Sequence, residues 1–207
     1  MLMVTLAIAL PLYFRPFFYL QIHTLHLPEQ TGHTARELRD AFDELMNYLT
    51  LPGQEFGTGV FPSSAQGAAH FADCKVLMML VVVLLFASLA VVIACRVLRR
   101  IGYFRPKRPF GLDVGFTVGV CALGVFSVIG LLLALNFQAA FTVFHKLFFP
   151  GKENWVFYPD QDPIILMLPH AFFINCAALI AAVIIVWSVL LILLALLRRE
   201  APVEPGH

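Results

Sequence analysis

The 207-residue sequence carries little charge for its length. Asp, Glu, Lys and Arg make up 13% of the residues, against roughly 25% in soluble domains. Hydrophobic residues make up 60%, and the mean hydropathy is +0.84. Because a soluble domain of this size needs more charge to cover its surface, the composition predicts an integral membrane protein. The net charge of +1 gives no sign of a nucleic-acid partner.

Motifs of several enzyme classes are also missing. The four cysteines form no C-x-x-C pair, which weighs against a thiol–disulfide oxidoreductase. There is no H-E-x-x-H motif and no Cys/His finger pattern, so a zinc hydrolase is poorly supported. Ser63 and Ser64 lack a G-x-S-x-G context, which disfavours a serine nucleophile. We therefore expect neither a metal nor another cofactor.

Long uncharged runs predict three membrane-spanning helices, at 76–98, 114–136 and 171–197. In the first, the 20 residues from Val76 to Cys95 cover about 30 Å as a helix, which is one hydrocarbon thickness.

The N-terminal segment 1–20 predicts a fourth span, although Pro11, Arg15 and Pro16 interrupt its apolar character. A cleaved signal peptide is the alternative, but the segment has no clear basic start and no small-x-small cleavage site. We place Arg15 near one end of the span, where its long side chain can reach the lipid headgroups. The predicted fold is thus a single all-α membrane domain over 1–207, with four transmembrane helices.

Charge asymmetry predicts the orientation of these helices. The 96–113 loop and the C-terminal tail hold eight of the 14 Lys and Arg residues but three of the 13 acidic ones. The positive-inside rule places that loop and both termini in the cytoplasm. Segments 21–74 and 137–170 then face outward and form an extracytoplasmic cap.

The first cap segment contains a predicted amphipathic helix. Thr34 and Glu37 match a capping box. Apolar residues follow on one helical face, at positions 38, 42, 45 and 49. We expect this helix to act as a lid without chemistry of its own, followed by a mobile loop over 53–67.

The second cap segment is rich in aromatic residues. They include Phe137, Phe141, Phe144, Phe148, Phe149, Trp155, Phe157, Tyr158, Phe172 and Phe173. One interpretation is an interfacial aromatic belt. The other is a wall for an acyl chain or a glycerol backbone, and the composition leaves both open.

Two histidines are candidates for acid–base chemistry. His70 and Asp73 are three residues apart at the start of the second span, so they share a helical face. We expect the Asp73 carboxylate to hold one ring nitrogen of His70 and leave the other basic. His145 lies within the aromatic stripe. Either imidazole alone could instead cap a helix or bind a lipid headgroup.

Three motifs together resemble a known family. They are A-A-H-F-A-D-C-K-V-L over Ala68–Leu77, F-H-K-L-F-F over Phe144–Phe149 with the following N-W-V-F, and D-P-I-I-L-M-L-P-H-A-F-F over Asp162–Phe173. This pattern is similar to that of the bacterial lipoprotein intramolecular transacylases over nearly the whole chain. Cys74 and His170 depart from the residues expected at those positions.

The resemblance implies both an activity and a location. Such enzymes act on lipoproteins bearing an S-diacylglyceryl cysteine at a free N-terminus, and they move the sn-2 acyl chain to the cysteine α-amine. The N-acyl S-monoacylglyceryl product is the lyso form. The location implied is the bacterial cytoplasmic membrane, among membrane lipids, with the active site at the outer leaflet interface.

The family's two catalytic histidines map onto His70 and His145. We assign His70 as general base, supported by Asp73, and His145 as acid or oxyanion stabiliser, with the reverse assignment open. The candidate substrate-binding residues are Arg15, Asn47, Tyr48, Lys75, Phe141, Phe144, Phe148, Phe149, Trp155 and Phe172.

Three other functions compete with this interpretation. A non-enzymatic transport or assembly protein is the first, although its spans would be expected to carry polar groups near mid-bilayer. A haem or quinone protein with histidine ligands is the second. A phospholipase or acyltransferase that uses the same histidines with another acceptor is the third.

Overall fold

The structure, a computed structural model, describes residues 1–103 and 112–200, which contain helices and no strand. The helices are α1 (Leu2–Tyr13), α2 (Pro16–Thr24), α3 (Leu27–Thr31), α4 (Ala35–Thr50), α5 (Ala65–Arg100), α6 (Val114–Leu135), α7 (Phe137–Phe148), α8 (Ile164–Met167) and α9 (His170–Glu200).

Three of these helices, α5, α6 and α9, are long and apolar enough to cross a membrane. Their surfaces expose large apolar side chains, among them Val83, Phe86, Val128 and Leu190. Such continuous apolar exposure is unfavourable in water and is what contact with lipid requires.

The N-terminal segment, for which a span over 1–20 is predicted, is bent in the structure. α1 and α2 form a pair bent by 59°, and they are a fourth candidate span only if the pair is counted as one. The bend lies at Phe14 and Arg15, directly before Pro16. Proline has no N–H to continue the α1 hydrogen bonds, but it suits the first position of a new helix.

α5 extends well beyond the predicted span 76–98. It begins at Ala65 because the hydroxyl of Ser64 caps it, accepting a hydrogen bond from the Gly67 N–H at 2.9 Å. The 11 extra residues before Val76 add about 16 Å of helix. This extension carries His70.

The cytoplasmic loop predicted at 96–113 begins later than expected, since α5 continues to Arg100. The predicted loop charges Arg105, Lys107 and Arg108 lie outside the described residues, as does the tail 201–207. α6 then begins after Asp113, whose carboxylate accepts from the Gly115 N–H at 2.8 Å.

The third predicted span continues into a separate helix. α6 ends at Leu135, and Asn136 has a non-helical backbone. The Asn136 side chain caps α7 by accepting from the Ala139 N–H at 2.9 Å. α7 carries the aromatic stripe and His145.

The predicted amphipathic helix is confirmed as α4, including its capping box between Thr34 and Glu37. Its apolar face is buried, and Phe42 stacks on Phe18 of α2 with ring centroids 3.8 Å apart. The loop that follows packs back on α4, because Phe61 is buried and the Gly59 N–H donates to Glu44 at 2.8 Å.

The long helices pack in a chain of contacts. α6 packs along α9, α9 along α1, and α1 along α5. The α6–α9 contact is close at Gly119, where a Cβ atom would lie 2.8 Å from both the Ser188 carbonyl oxygen and Ile192 Cγ1. Small residues let membrane helices approach in this way.

We predict that Gly119→Leu destabilises the protein by about 1–3 kcal/mol, because the added side chain overpacks the α6–α9 contact. Thermal unfolding in detergent micelles measures the effect. Gly124→Leu on the same helix is the matched control, since a Cβ there meets nothing within 4 Å. Equal unfolding temperatures for the two variants would contradict this account of the contact.

Candidate active site

Two histidines far apart in the sequence meet in the structure. His70 on α5 and His145 on α7 have ring centroids 5.7 Å apart, with ring planes inclined by 34°. Each is only 6% exposed. The structure therefore brings together the two residues that the sequence analysis singled out.

Aromatic rings enclose the pair. Phe149 lies against both imidazoles, and its ring centroid is 5.1 Å from that of His70 and 5.7 Å from that of His145. Phe157 packs edge-on to His70, and Trp155 stacks on His145 at 4.7 Å. Phe141 contacts His145 at 4.2 Å. Of the predicted aromatic residues, Phe141, Phe149 and Trp155 thus line the site.

Other predicted aromatic residues have different surroundings. Phe144 contacts His145 at 5.4 Å but is half-exposed, and Phe148 packs on Phe144. Phe172 belongs to the core, where it packs against Phe18 and Phe42. α9 directs this ring toward α2 and α4, and the contact of Phe172 with substrate stays a prediction.

His145 has a defined tautomer. Its Nδ1 lies 2.7 Å from the Phe141 carbonyl oxygen. Because a carbonyl can only accept, Nδ1 carries the hydrogen, and Nε2 of the neutral ring is an acceptor. Burial lowers the pKa of His145 below 6.5, although the hydrogen bond to Phe141 partly opposes the shift. The resting ring becomes an acid or an oxyanion donor at Nε2 only after it takes up a proton.

The two imidazoles do not share the site as two cations. At 5.7 Å, two unit charges repel by about 3 kcal/mol for an effective dielectric constant of about 20. Burial in an aromatic pocket adds a desolvation cost to each charge. The pair is therefore suited to holding one transferred proton at a time.

The expected direct contact of Asp73 with His70 is wrong. Both Asp73 oxygens are engaged elsewhere, by Lys152 and by the Asn154 Nδ2, the latter at 3.0 Å. His70 Nδ1 is buried without a hydrogen-bond partner among the described residues. Its Nε2 lies 3.4 Å from the Cys74 sulfur, one turn along α5.

The predicted polar binding residues form two groups beside α4. Arg15 binds Asn47 and forms an ion pair with Asp43 at 3.0 Å. The Lys75 ammonium lies 4.1 Å from the centre of the Tyr48 ring. Within the described ranges, no hydrogen bond or ring contact joins these four predicted residues directly to either histidine.

Sequence reasoning did not assign Asn154, Lys152 or Phe157 to the site. Asn154 and Phe157 do lie in the N-W-V-F motif, which was the available signal. An open cleft of about 470 Å³ beside Trp155 includes Lys152 and Lys146 in its lining. In the described part of the chain, no three His, Cys, Asp or Glu side chains are grouped as metal ligands.

Comparison with known proteins identifies the family. A family model described as "Lipoprotein intramolecular transacylase Lit" matches residues 1–173. The chain belongs to the Lit family. It is therefore an acyltransferase of the transacylase type.

Solved structures agree with this assignment. The membrane-integral Lit of Bacillus cereus is 26% identical, with a TM-score of 0.83, and the match covers 97% of this chain and 92% of that one. A form of the same protein with one histidine replaced by alanine has a TM-score of 0.77 at 26% identity, covering 97% and 90%. A form with arginine at a histidine position has a TM-score of 0.76 at 27% identity, covering 96% and 87%. No curated protein sequence matches the chain. Together with its apolar helices, these matches make this transacylase a multi-pass membrane protein.

We predict that the His145 ring releases its proton below pH 6.5, because burial penalises the charged form. The ring is then neutral at pH 7. NMR titration of histidine-labelled protein in micelles measures this, with His145→Gln identifying the signal and free histidine as the reference. A pKa for His145 at or above that of free histidine would contradict the burial argument.

Proposed function

We propose that this transacylase moves the sn-2 acyl chain of an S-diacylglyceryl cysteine to the α-amine of the same cysteine. The product is the N-acyl S-monoacylglyceryl lipoprotein. The observation that carries the proposal is the approach of His70 and His145 to 5.7 Å inside an aromatic pocket.

The reaction needs an aligned substrate more than it needs an external nucleophile. The amine nitrogen forms a bond to the acyl carbon, the bond from that carbon to the sn-2 oxygen breaks, and one proton passes from nitrogen to oxygen. Amine and ester belong to one molecule, so attack closes a medium-sized ring. Holding the reactive conformer supplies up to about 7–11 kcal/mol in well-oriented systems. The aromatic pocket supports this role because its rings are rigid and packed around both imidazoles.

His70 carries the proton, and His145 orients the amine. The α-amine has a pKa of about 7.7–8, and a neutral imidazole accepts its proton as the amine attacks. We assign His70 as this base, and the His70 imidazolium then protonates the departing sn-2 oxygen. His145 accepts a hydrogen bond from the amine at Nε2 and holds the nitrogen toward the ester. His145 was predicted to be the acid or the oxyanion stabiliser, with the reverse assignment open. Because its Nδ1–H donates to the Phe141 carbonyl, we propose the acceptor role for the resting ring.

The pocket separates the parts of the substrate by polarity. Phe141, Phe149 and Trp155 pack against the imidazoles and contact the glyceryl and acyl groups, with Phe144 and Phe148 at the exposed edge. The polypeptide leaves through the cleft beside Trp155, since a protein segment after the cysteine requires a polar path. Arg15, Asn47, Tyr48 and Lys75 hold α4 against α2 and α5 rather than the substrate.

Membrane topology follows from charge. We propose four spans, with the bent α1–α2 pair counted as one, and both termini in the bacterial cytoplasm. Segments 21–74 and 137–170 then form the cap, and the two histidines lie at the outer leaflet among membrane lipids. Arg96, Arg99 and Arg100 at the end of α5 support this orientation. A C-terminal alkaline phosphatase fusion should be inactive, and an active fusion would overturn the proposed topology.

We predict that His70→Ala and His145→Ala each lower the rate of acyl transfer by about 10²- to 10⁴-fold. The first removes the base, and the second removes the hydrogen-bond acceptor that orients the amine. Purified enzyme is incubated with a diacylglyceryl lipopeptide that has a free N-terminus, and mass-spectrometric fragmentation locates the acyl chain. His23→Ala, an exposed position on α2, is the control for histidine replacement.

Cys74→Ala distinguishes proton transfer from a covalent acyl-enzyme. The thiol lies 3.4 Å from His70 Nε2, a geometry that a cysteine–histidine nucleophile would also adopt. We expect Cys74→Ala to keep its activity. Loss of activity in a folded Cys74→Ala enzyme would reopen the covalent route, and free fatty acid as the product would point to a phospholipase.

A further inference from the structure

Asn154 lies between the Asp73 carboxylate and the His70 ring. Its Nδ2 donates to Asp73 Oδ2 at 3.0 Å. Burial lowers the pKa of His70 to about 4, and the Asn154 side chain is one of the neighbouring groups that oppose this shift. Lys152 holds the other Asp73 oxygen. The loop after α7 thus places the Asn154 amide between the Asp73 carboxylate and the buried His70 imidazole.

Two buried atoms at this point lack partners. Asn154 Oδ1 and His70 Nδ1 are the buried side-chain nitrogen and oxygen atoms without a hydrogen bond in the described part of the chain. A buried polar atom without a partner costs about 1–3 kcal/mol. The two atoms complement each other, because an amide oxygen only accepts and a ring nitrogen bearing hydrogen donates.

The orientation of the amide leaves one consistent arrangement. Asp73 is an acceptor, so the NH₂ group of Asn154 must face it and the amide oxygen must face away. His70 can then meet that oxygen only with a hydrogen on Nδ1. This tautomer makes Nε2 an acceptor. In the resting structure the Cys74 thiol occupies it at 3.4 Å, and the substrate amine would displace the thiol to lose its proton there.

We propose that Asn154 is a positioning residue that links Asp73 to His70, through a hydrogen bond from His70 Nδ1–H to Asn154 Oδ1. The link fixes the tautomer and orientation of the ring. It also couples the Asp73 charge to the imidazolium that forms when His70 takes the amine proton. This inference rests on the proposed function for its effect on rate, but its effect on the tautomer is independent of the reaction.

An asparagine can make this link and its close analogues cannot. Asp at position 154 keeps the shape but has no donor for Asp73, and it sets two carboxylates side by side. Leu at position 154 keeps much of the volume and provides neither donor nor acceptor. Asn154→Asp keeps an acceptor for His70 Nδ1–H and breaks the link only at Asp73, whereas Asn154→Leu releases the His70 ring without creating a large cavity.

We predict that Asn154→Leu lowers kcat by about 10- to 100-fold, as loss of partners behind a functional imidazole commonly does. KM should change by less than about twofold, because Asn154 does not contact substrate. Asp73→Asn removes the charge alone and should lower kcat. Adding it to Asn154→Leu should cause little further loss, since both changes break the same link.

A control substitution on the same loop tests for general effects of mutation there, and an NMR measurement of the His70 tautomer tests the link without the reaction. Asp160→Asn, an exposed position on the same loop, should leave kcat unchanged. In ¹⁵N-histidine NMR above pH 7, His70 should carry its hydrogen on Nδ1 in the wild type. In Asn154→Leu its signal should move toward a mixture of tautomers, whereas in Asn154→Asp, which keeps the acceptor, the hydrogen should stay on Nδ1.

The outcomes separate the two proposals. If the wild type forms no N-acyl product, the proposed function fails, and the NMR comparison still decides the link. If the wild type is active and Asn154→Leu matches Asp160→Asn in kcat, the link is overturned. An unchanged His70 tautomer in Asn154→Leu overturns it as well.

Discussion

Burial of two imidazoles side by side is the constraint on which the rest of the site depends. His70 and His145 lie 5.7 Å apart inside aromatic walls, so that solvent cannot stabilise a charge on either ring. Two charges at that separation repel, and one is already costly. The pair therefore rests as neutral acceptors, which is the state that a reaction with an amine requires.

Two local features of the chain create this approach. The Ser64 cap starts α5 at Ala65, so His70 lies on a helical extension ahead of the long apolar run. The non-helical backbone at Asn136 ends α6 and begins α7, which carries His145 on its own axis. A single uninterrupted helix through 114–148 would have tied His145 to the direction of α6. The Ser64 cap of α5 and the Asn136 cap of α7 thus determine the positions of the two imidazoles.

The reaction proposed for the site requires few reactive groups beyond the two imidazoles. An intramolecular acyl transfer needs one proton moved between neighbouring atoms and a substrate held in a reactive shape. Neither task requires a metal or a serine nucleophile. The polar groups beyond the imidazoles instead bind one another: Asp73 with Lys152 and Asn154, and Arg15 with Asp43 and Asn47. The Asp73 contacts anchor the loop after α7 that carries Trp155 and Phe157, and the Arg15 contacts hold α4 against the start of α2.

The sequence alone determined the membrane character, the amphipathic helix α4 and the identity of the two histidines. Composition and uncharged runs depend on length and polarity, and the α4 capping box is local, so neither needs tertiary information. The motifs around His70 and His145 marked the residues but not their distance. Only the tertiary structure decided that Asp73 faces Lys152 and Asn154 instead of His70, and that Phe172 belongs to the core. These contacts join segments about 80 residues apart or more. Helical spacing within one segment shows which of its residues share a face, but it does not show which side chain from a distant segment will contact that face.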